Sequence, residues 1–382
     1  MRASAVAARS LEYRLTSRLE EITAAGLLRR LLPPAGIDLS SNDYLGLARD
    51  FRMRERMAEA VLQEGCGATG SRLLHGHRHR FAAIERRFAE FKGTEASLYF
   101  SSGYAANVGV LSAFLEPGDA VFSDALNHAS IIDGIRLGRA AKIIFPHADA
   151  DALRRKLEAT PVAGQRFLVT ESVFSMDGDF APLREYAEIC RESGAALIVD
   201  EAHAVGIYGE RGSGRIEATG VAEDVFVSVN PAGKALGVSG AFVAGSSVAI
   251  EYLVQRARSF VFSTAPPPAI AAALETALDL VAAEPERRTR LLARAAFLRD
   301  RLVEAGFDVP RDPSPIVPVV VGDNAAATRA AEAMQQAGFD VRAIRPPTVP
   351  PGTARLRFSV HADLDEATLR RLTDLLARAV KG

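Results

Sequence analysis

The sequence predicts an α/β protein in two parts: a large part built on a mostly parallel sheet covered by helices on both faces, and a smaller α/β part at the C-terminus. Three observations carry this. Seven short apolar runs alternate with helical patterns between about residues 55 and 275, the pattern of strands buried on both faces. A breaker at Pro266 to Pro268 interrupts the alternation, and a second αβ pattern follows an alanine- and arginine-rich helical stretch. With 382 residues, 48% of them hydrophobic, the chain has material for large cores.

In chain order, residues 9–32 carry helical spacing and stop at Pro33-Pro34, so residues 1–45 read as an N-terminal arm ending in the turn-rich SSNDYLGL. The large part spans 46–280, with strands expected at Leu98 to Phe100, Ala120 to Phe122, Lys142 to Phe145, Phe167 to Thr170, Ala195 to Val199, Val225 to Val229 and Ala241 to Ala244. One crossover is legible in detail. Pro182 opens a helix whose apolar stripe is Leu183, Tyr186, Ile189 and Cys190, and Gly194 ends it. The small part, 281–382, is expected to hold strands at Ile316 to Val321 and Arg355 to Val360 and helices at Ala325 to Ala337 and Glu366 to Val380.

A net charge of -1 and a pI near 6.7 leave no electrostatic footprint for nucleic acid, so the expected partners are small molecules. Two cysteines, Cys66 and Cys190, lie far apart; they exclude a disulfide framework and read as core residues of a reducing compartment. Neither a leader peptide nor a membrane span is evident, and cytoplasmic residence is the expectation.

In an open parallel sheet, ligands bind beyond the carboxyl ends of the strands, and here those ends carry chemistry. Ser102 and Gly103 follow the first strand and open a helix whose free amides suit a phosphate. Ser175 follows the fourth strand. Asp200 and His203 follow the fifth. Lys234, set among Gly233, Gly237 and Gly240, follows the sixth. Each alone has an ordinary explanation: a capping aspartate, a loop histidine, a turn serine, a solvated lysine. Together they supply an anion, a hydrogen-bonding imidazole, a phosphate cradle and a desolvated amine able to form a Schiff base, the set that a pyridoxal ring needs.

The strings SSNDYLGL, SSGYAAN, NHASIIDG, ESVFSMDGDFAPL, VDEAHAVGIYGERGSGR, GKALGVSGAF, FSTAPPP and RPPTVPPGTARLRFSV resemble the α-oxoamine synthase family of fold-type I pyridoxal phosphate enzymes. The resemblance implies pyridoxal 5'-phosphate as cofactor, held covalently by Lys234. Asp200 would meet the pyridine nitrogen, His128 would stack on the ring, and His203 and Ser175 would bond around the phenolic oxygen and the reacting centre. Ser102, Gly103 and Tyr104 would hold the phosphate, with Ser263 and Thr264 reaching it from the second subunit of a homodimer with shared active sites. Asn42 and Arg357 match positions that bind the amino acid's carboxylate.

Within the family the wording GKALGVSGA is similar to the branch that condenses L-alanine with a pimeloyl thioester, carried on coenzyme A or acyl carrier protein, in biotin synthesis; Arg29 falls where that branch carries an arginine for the far carboxylate. Other α-oxoamine synthases, using glycine or serine and other acyl thioesters, are the near alternatives, and a non-catalytic binding protein of the same fold is the distant one. Two features depart from the pattern. Pro231 stands where the family places a threonine, which removes a hydroxyl and an amide proton near the phosphate and leaves Asn230 as substitute donor. His75, His77 and His79 alternate with Arg78 and Arg80 beside Arg72; without a nearby carboxylate or cysteine the cluster reads as a basic lip or a solvated loop, and no metal is expected.

Overall fold

The structure is a computed structural model describing residues 2–381. The N-terminal half comprises α1 (Arg2–Ala24), β1 (Ile37–Asp38), α2 (Phe51–Glu64), α3 (His79–Lys92), β2 (Ala96–Phe100), α4 (Gly103–Phe114), β3 (Ala120–Asp124), α5 (Ala129–Leu137), β4 (Ala141–Phe145), α6 (Ala150–Ala159), β5 (Arg166–Glu171) and α7 (Leu183–Ser193). There follow β6 (Ala196–Asp200), α8 (Arg215–Thr219), β7 (Val225–Pro231), β8 (Ala241–Gly245), α9 (Ser247–Arg256), α10 (Arg258–Val261), α11 (Pro268–Ala283) and α12 (Pro285–Glu304). The chain ends with β9 (Ile316–Gly322), α13 (Asn324–Gln336), β10 (Phe339–Asp340), β11 (Ala343–Ile344), β12 (Ala354–Ser359) and α14 (Glu366–Lys381).

The large sheet has the order β2-β8-β7-β6-β5-β3-β4, and only β8 runs antiparallel to its neighbours. Side-chain alternation loads both faces. On β6, Leu197 and Val199 join the core beneath α6 and α7, whereas Ile198 joins Val169 of β5 in the core beneath α4, α5 and α9. The crossover helix α7 buries Leu183, Tyr186, Ile189 and Cys190, and Gly194 ends it at φ 67°, where a Cβ would be strained. A side chain of that size contributes about 1.5–3 kcal/mol when buried, so this stripe, and not local propensity, keeps the helix on the sheet.

The C-terminal module is a three-stranded antiparallel sheet, β11-β12-β9, backed by α12, α13 and α14. Several sequence expectations shift. The first helix ends at Ala24, short of the prolines, because Gly26 takes φ 66° and turns the chain. Residues 37–45, grouped with the arm from sequence, are woven into the body: β1 pairs in parallel with β10, and Tyr44 is fully buried. The boundary expected at 280/281 falls inside α11, which packs on α2 and α3; the chain breaks instead at Glu284-Pro285. Cys190 is buried, but Cys66 is exposed just beyond the end of α2.

Candidate active site

The carboxyl ends of β2, β5, β6 and β7 converge on a cavity of about 460 Å³ whose far wall is β12. Lys234 enters it from a tight loop between β7 and β8, closed by Ala232 N–H to Gly240 O (2.8 Å) and Val238 N–H to Ala232 O (3.0 Å). The glycines there are needed. A Cβ on Gly240 would lie 1.7 Å from the Tyr99 hydroxyl, and one on Gly237 would lie 2.5 Å from Ala48 N. Among the described residues the Lys234 amine has no hydrogen-bond or ion-pair partner; burial pushes its pKa down against the pull of Asp200 and Glu171.

Asp200, at the end of β6, is held at both oxygens: Asn107 Nδ2 donates to Oδ2 (2.7 Å) and Ala202 N–H to Oδ1 (2.9 Å). The next residue, Glu201, anchors the turn by pairing with buried Lys92 (2.7 Å) and accepting the Arg215 N–H (2.7 Å). From Asn107 a chain of hydrogen bonds runs across the cavity. Asn107 Nδ2 also donates to Ser130 Oγ (3.0 Å), which lies 2.7 Å from His128 Nδ1. Since Ser130 N–H also donates to that nitrogen, Nδ1 is the acceptor and the serine proton points at it. Burial holds the His128 imidazole below its usual pKa, so the ring is neutral.

His203 is governed by a second network. Tyr44 donates its only hydroxyl proton to Asn42 Oδ1 (3.0 Å) and accepts from His203 Nδ1, 2.7 Å away. Burial, reinforced by Lys234 and Arg357, drives the His203 pKa well down, and burial pushes the Tyr44 phenol up to about 12. Arg357, on β12, donates from Nε to Ser175 O (2.6 Å), from Nη2 to Asn42 Oδ1 (3.0 Å) and from Nη1 to Ser359 Oγ (3.2 Å). These bonds fix the orientation of the guanidinium, which lines the cavity beside the Tyr44 hydroxyl. Ser102 caps α4 by accepting the Ala105 N–H (3.0 Å), and Ser101 to Tyr104 line the cavity at the helix start.

The cavity thus gathers Asn42, Ser102, Gly103, Tyr104, His128, Ser175, Asp200, His203, Lys234 and Arg357 from the sequence expectations. Three expected residues lie outside its lining. Ser263 donates to Ser259 O (2.6 Å), Thr264 bridges Ser71, and Arg29 donates to Thr348 Oγ1 (3.0 Å) in a separate groove with Arg30, Arg342 and Arg345. Asn230 is no substitute donor: it is fully buried and its amide turns into the sheet toward Ser228 (2.9 Å), whereas Pro231 does line the cavity. Nor do the arginines near His77 form a free lip. Arg72 is clamped by Glu85 (2.9 and 3.0 Å), Arg80 pairs with Glu64, and Arg78 bonds to His75 O.

Sequence reasoning missed Asn107, Ser130, Tyr44 and Glu171. The rule that located Asp200, the last position of a parallel strand, also points to Glu171; no local signal marks the other three.

Fold and cavity define a fold-type I transferase, the architecture of pyridoxal phosphate enzymes, and the chain belongs to the aminotransferase class I and II family, whose sequence model matches residues 34–376. It is similar to an 8-amino-7-oxononanoate synthase of Anaeromyxobacter dehalogenans, 50% identical over 366 residues covering 92% of this chain and 91% of the relative. A synthase of the same name from Geobacter sulfurreducens is 45% identical over 382 residues, covering 96% and 98%. Among solved structures, a serine palmitoyltransferase from S. paucimobilis with bound PLP superposes with a TM-score of 0.90 at 30% identity, covering 96% of each chain. An 8-amino-7-oxononanoate synthase from Francisella tularensis superposes with a TM-score of 0.79 at 29% identity, covering 91% of this chain and 98% of that one.

Proposed function

We propose that this protein condenses L-alanine with a pimeloyl thioester, releasing the thiol and carbon dioxide, to give 8-amino-7-oxononanoate for biotin synthesis. The observation that carries the reading is Lys234: a half-buried amine of lowered pKa, without a hydrogen-bond or ion-pair partner among the described residues, that shares one cavity with Asp200 and Arg357. The relatives of 45–50% identity over nearly the whole chain select the branch.

The residues present fit pyridoxal phosphate. The start of α4 presents free backbone amides, and Gly103 is required there because a Cβ would lie 2.7 Å from Pro231 Cγ. Lys234 would hold the aldehyde carbon, Asp200 the ring nitrogen, His128 the ring face, and His203 with Ser175 the phenolic oxygen. When bound, the cofactor supplies an electron sink for negative charge at the amino acid's α-carbon. Arg357 and Asn42 hold the alanine carboxylate with a planar fork that the Ser175 and Ser359 bonds have already oriented. Lys234, whose neutral form burial favours, takes the α-proton on its Nζ and later returns it. The hydrogen-bond chain from Asp200 to His128 keeps the charged and stacking groups in fixed relation throughout.

Ser263 and Thr264, outside their own chain's cavity, reach the phosphate across a homodimer interface on this reading. Phe262, which follows α10 and directly precedes Ser263, is 72% exposed in the single chain, as an interface residue should be. Among the described residues no helix is long and apolar enough to cross a membrane, and the proposed site of action is the cytoplasm.

The test is thiol release by purified protein across a panel of amino acids and acyl thioesters, together with visible absorbance on cofactor addition. Alanine with pimeloyl thioester should be preferred, and Lys234→Ala should abolish both signals. Preference for glycine or serine, or for palmitoyl or succinyl thioesters, would move the chain to another branch of the α-oxoamine synthases.

A further inference from the structure

The cavity holds a second carboxyl that the reading above leaves without a role. Glu171 ends β5 directly opposite Asp200, its register partner on β6, and is 2% exposed. It stands between two loops that carry site residues. Its own N–H donates to Asn127 Oδ1 (3.2 Å), and Asn127 Nδ2 returns to Val169 O (2.7 Å), which docks the loop before α5 onto β5. The backbone N–H groups of His128, at the end of that loop, and of Ser175, in the hairpin after β5, face the Glu171 carboxyl closely enough to pull its pKa down. Its Oε1 is buried with no partner in the protein. A carboxyl flanked by two loop amides, with one oxygen unpartnered, is an unusual thing to retain in a core, where an unpaired polar atom is costly, unless the spacing it sets is needed.

We infer that Glu171 is a positioning residue for the condensation, a carboxyl that spans the cavity floor and holds the His128 and Ser175 loops at one separation. The inference rests on the proposed function, because it is the stacking of His128 and the Ser175–Arg357 contact that the separation serves. The groups facing Glu171 are Asp200 on β6, Lys234 beyond β7, and the His128 and Ser175 segments. Burial, then the neighbouring Asp200, raises its pKa to about 8, with Lys234 opposing. At neutral pH the side chain therefore keeps its proton, and Asp200 faces no second negative charge.

The test compares Glu171→Ala with Glu171→Gln, which keeps size, neutrality and an acceptor oxygen. Alanine should lower kcat about 100-fold, the scale of an ångström-sized misplacement, with KM for alanine changed far less. Glutamine should recover at least about tenfold of that loss. A readout independent of catalysis is melting of the full chain before cofactor is added. The folded-state pKa lies above the unfolded value of 4.5, so the wild type should lose stability relative to Glu171→Gln as pH rises from about 4.5, and the gap should level off above about 8. Glutamine as impaired as alanine, or a stability gap that does not change with pH, overturns the inference. Should the alanine variant fail to fold, the pH course of the glutamine variant decides alone. A wild type that shows the gap but releases no thiol would instead defeat the proposed function and leave the protonated Glu171 standing.

Discussion

Replacing His147 should loosen the hairpin that carries Ser175 and Met176, and the structure sets the size of the effect. His147 follows β4 and bridges two carboxylates: Nδ1 lies 2.9 Å from Asp124 Oδ1 at the end of β3, and Nε2 lies 2.7 Å from Asp179 Oδ2 in the hairpin. Its ring stands edge-on to Phe174, with centroids 4.3 Å apart. Both nitrogens face acceptors, so the ring must carry two protons. Burial opposes that charge, but the hydrogen bonds to Asp124 and Asp179 outweigh it and raise the pKa to about 10. A histidine moved from 6.5 to about 10 on folding stabilises by up to about 5 kcal/mol; solvent screening of the part-exposed His147 and Asp179 side chains reduces the worth of the clasp to about 2–3 kcal/mol. The sign follows from a raised pKa: the contribution is fully present below pH 6.5 and is lost as pH rises to about 10. Denaturant titration of His147→Gln should therefore show a deficit of about 2–3 kcal/mol at pH 6 that shrinks toward pH 10. A deficit that stays constant across that range, or none at pH 6, would refute the cationic clasp.

Two further predictions concern ligands. Pro231→Thr adds a hydroxyl where the end of β7 meets the start of α4, and should tighten cofactor binding by about 0.5–1.5 kcal/mol, two- to tenfold in Kd by equilibrium titration; unchanged affinity would show that the α4 amides already satisfy the phosphate. Arg29→Ala should raise KM for pimeloyl thioester several-fold and hardly affect an uncharged acyl thioester of similar length, whereas equal losses would mean only that the arm had shifted.

Local sequence sufficed for the strands of the large sheet, because a strand buried on both faces must be apolar throughout and is bounded by glycine and helix caps; the run Val225 to Val229 appears as β7, extended to Pro231. It also sufficed to place Asp200 and Lys234 at strand ends, since the carboxyl-end rule depends only on strand direction. Which groups would touch one another was not legible. Asn107 and Asp200 are 93 residues apart, and Asn42 and Arg357 are 315; their contacts exist because the sheet and the C-terminal module fold over each other. The same distance hid the fate of residues 37–45, where β1 pairs with β10 and makes a body segment of what local pattern reads as an arm. Asn230 shows the limit in a single residue: strand alternation sends its side chain into the sheet and leaves Pro231 at the cavity. Residue types and strand order set what chemistry the chain can hold, and long-range packing decided which side chains are desolvated, which are neutral and which are left free to meet a ligand.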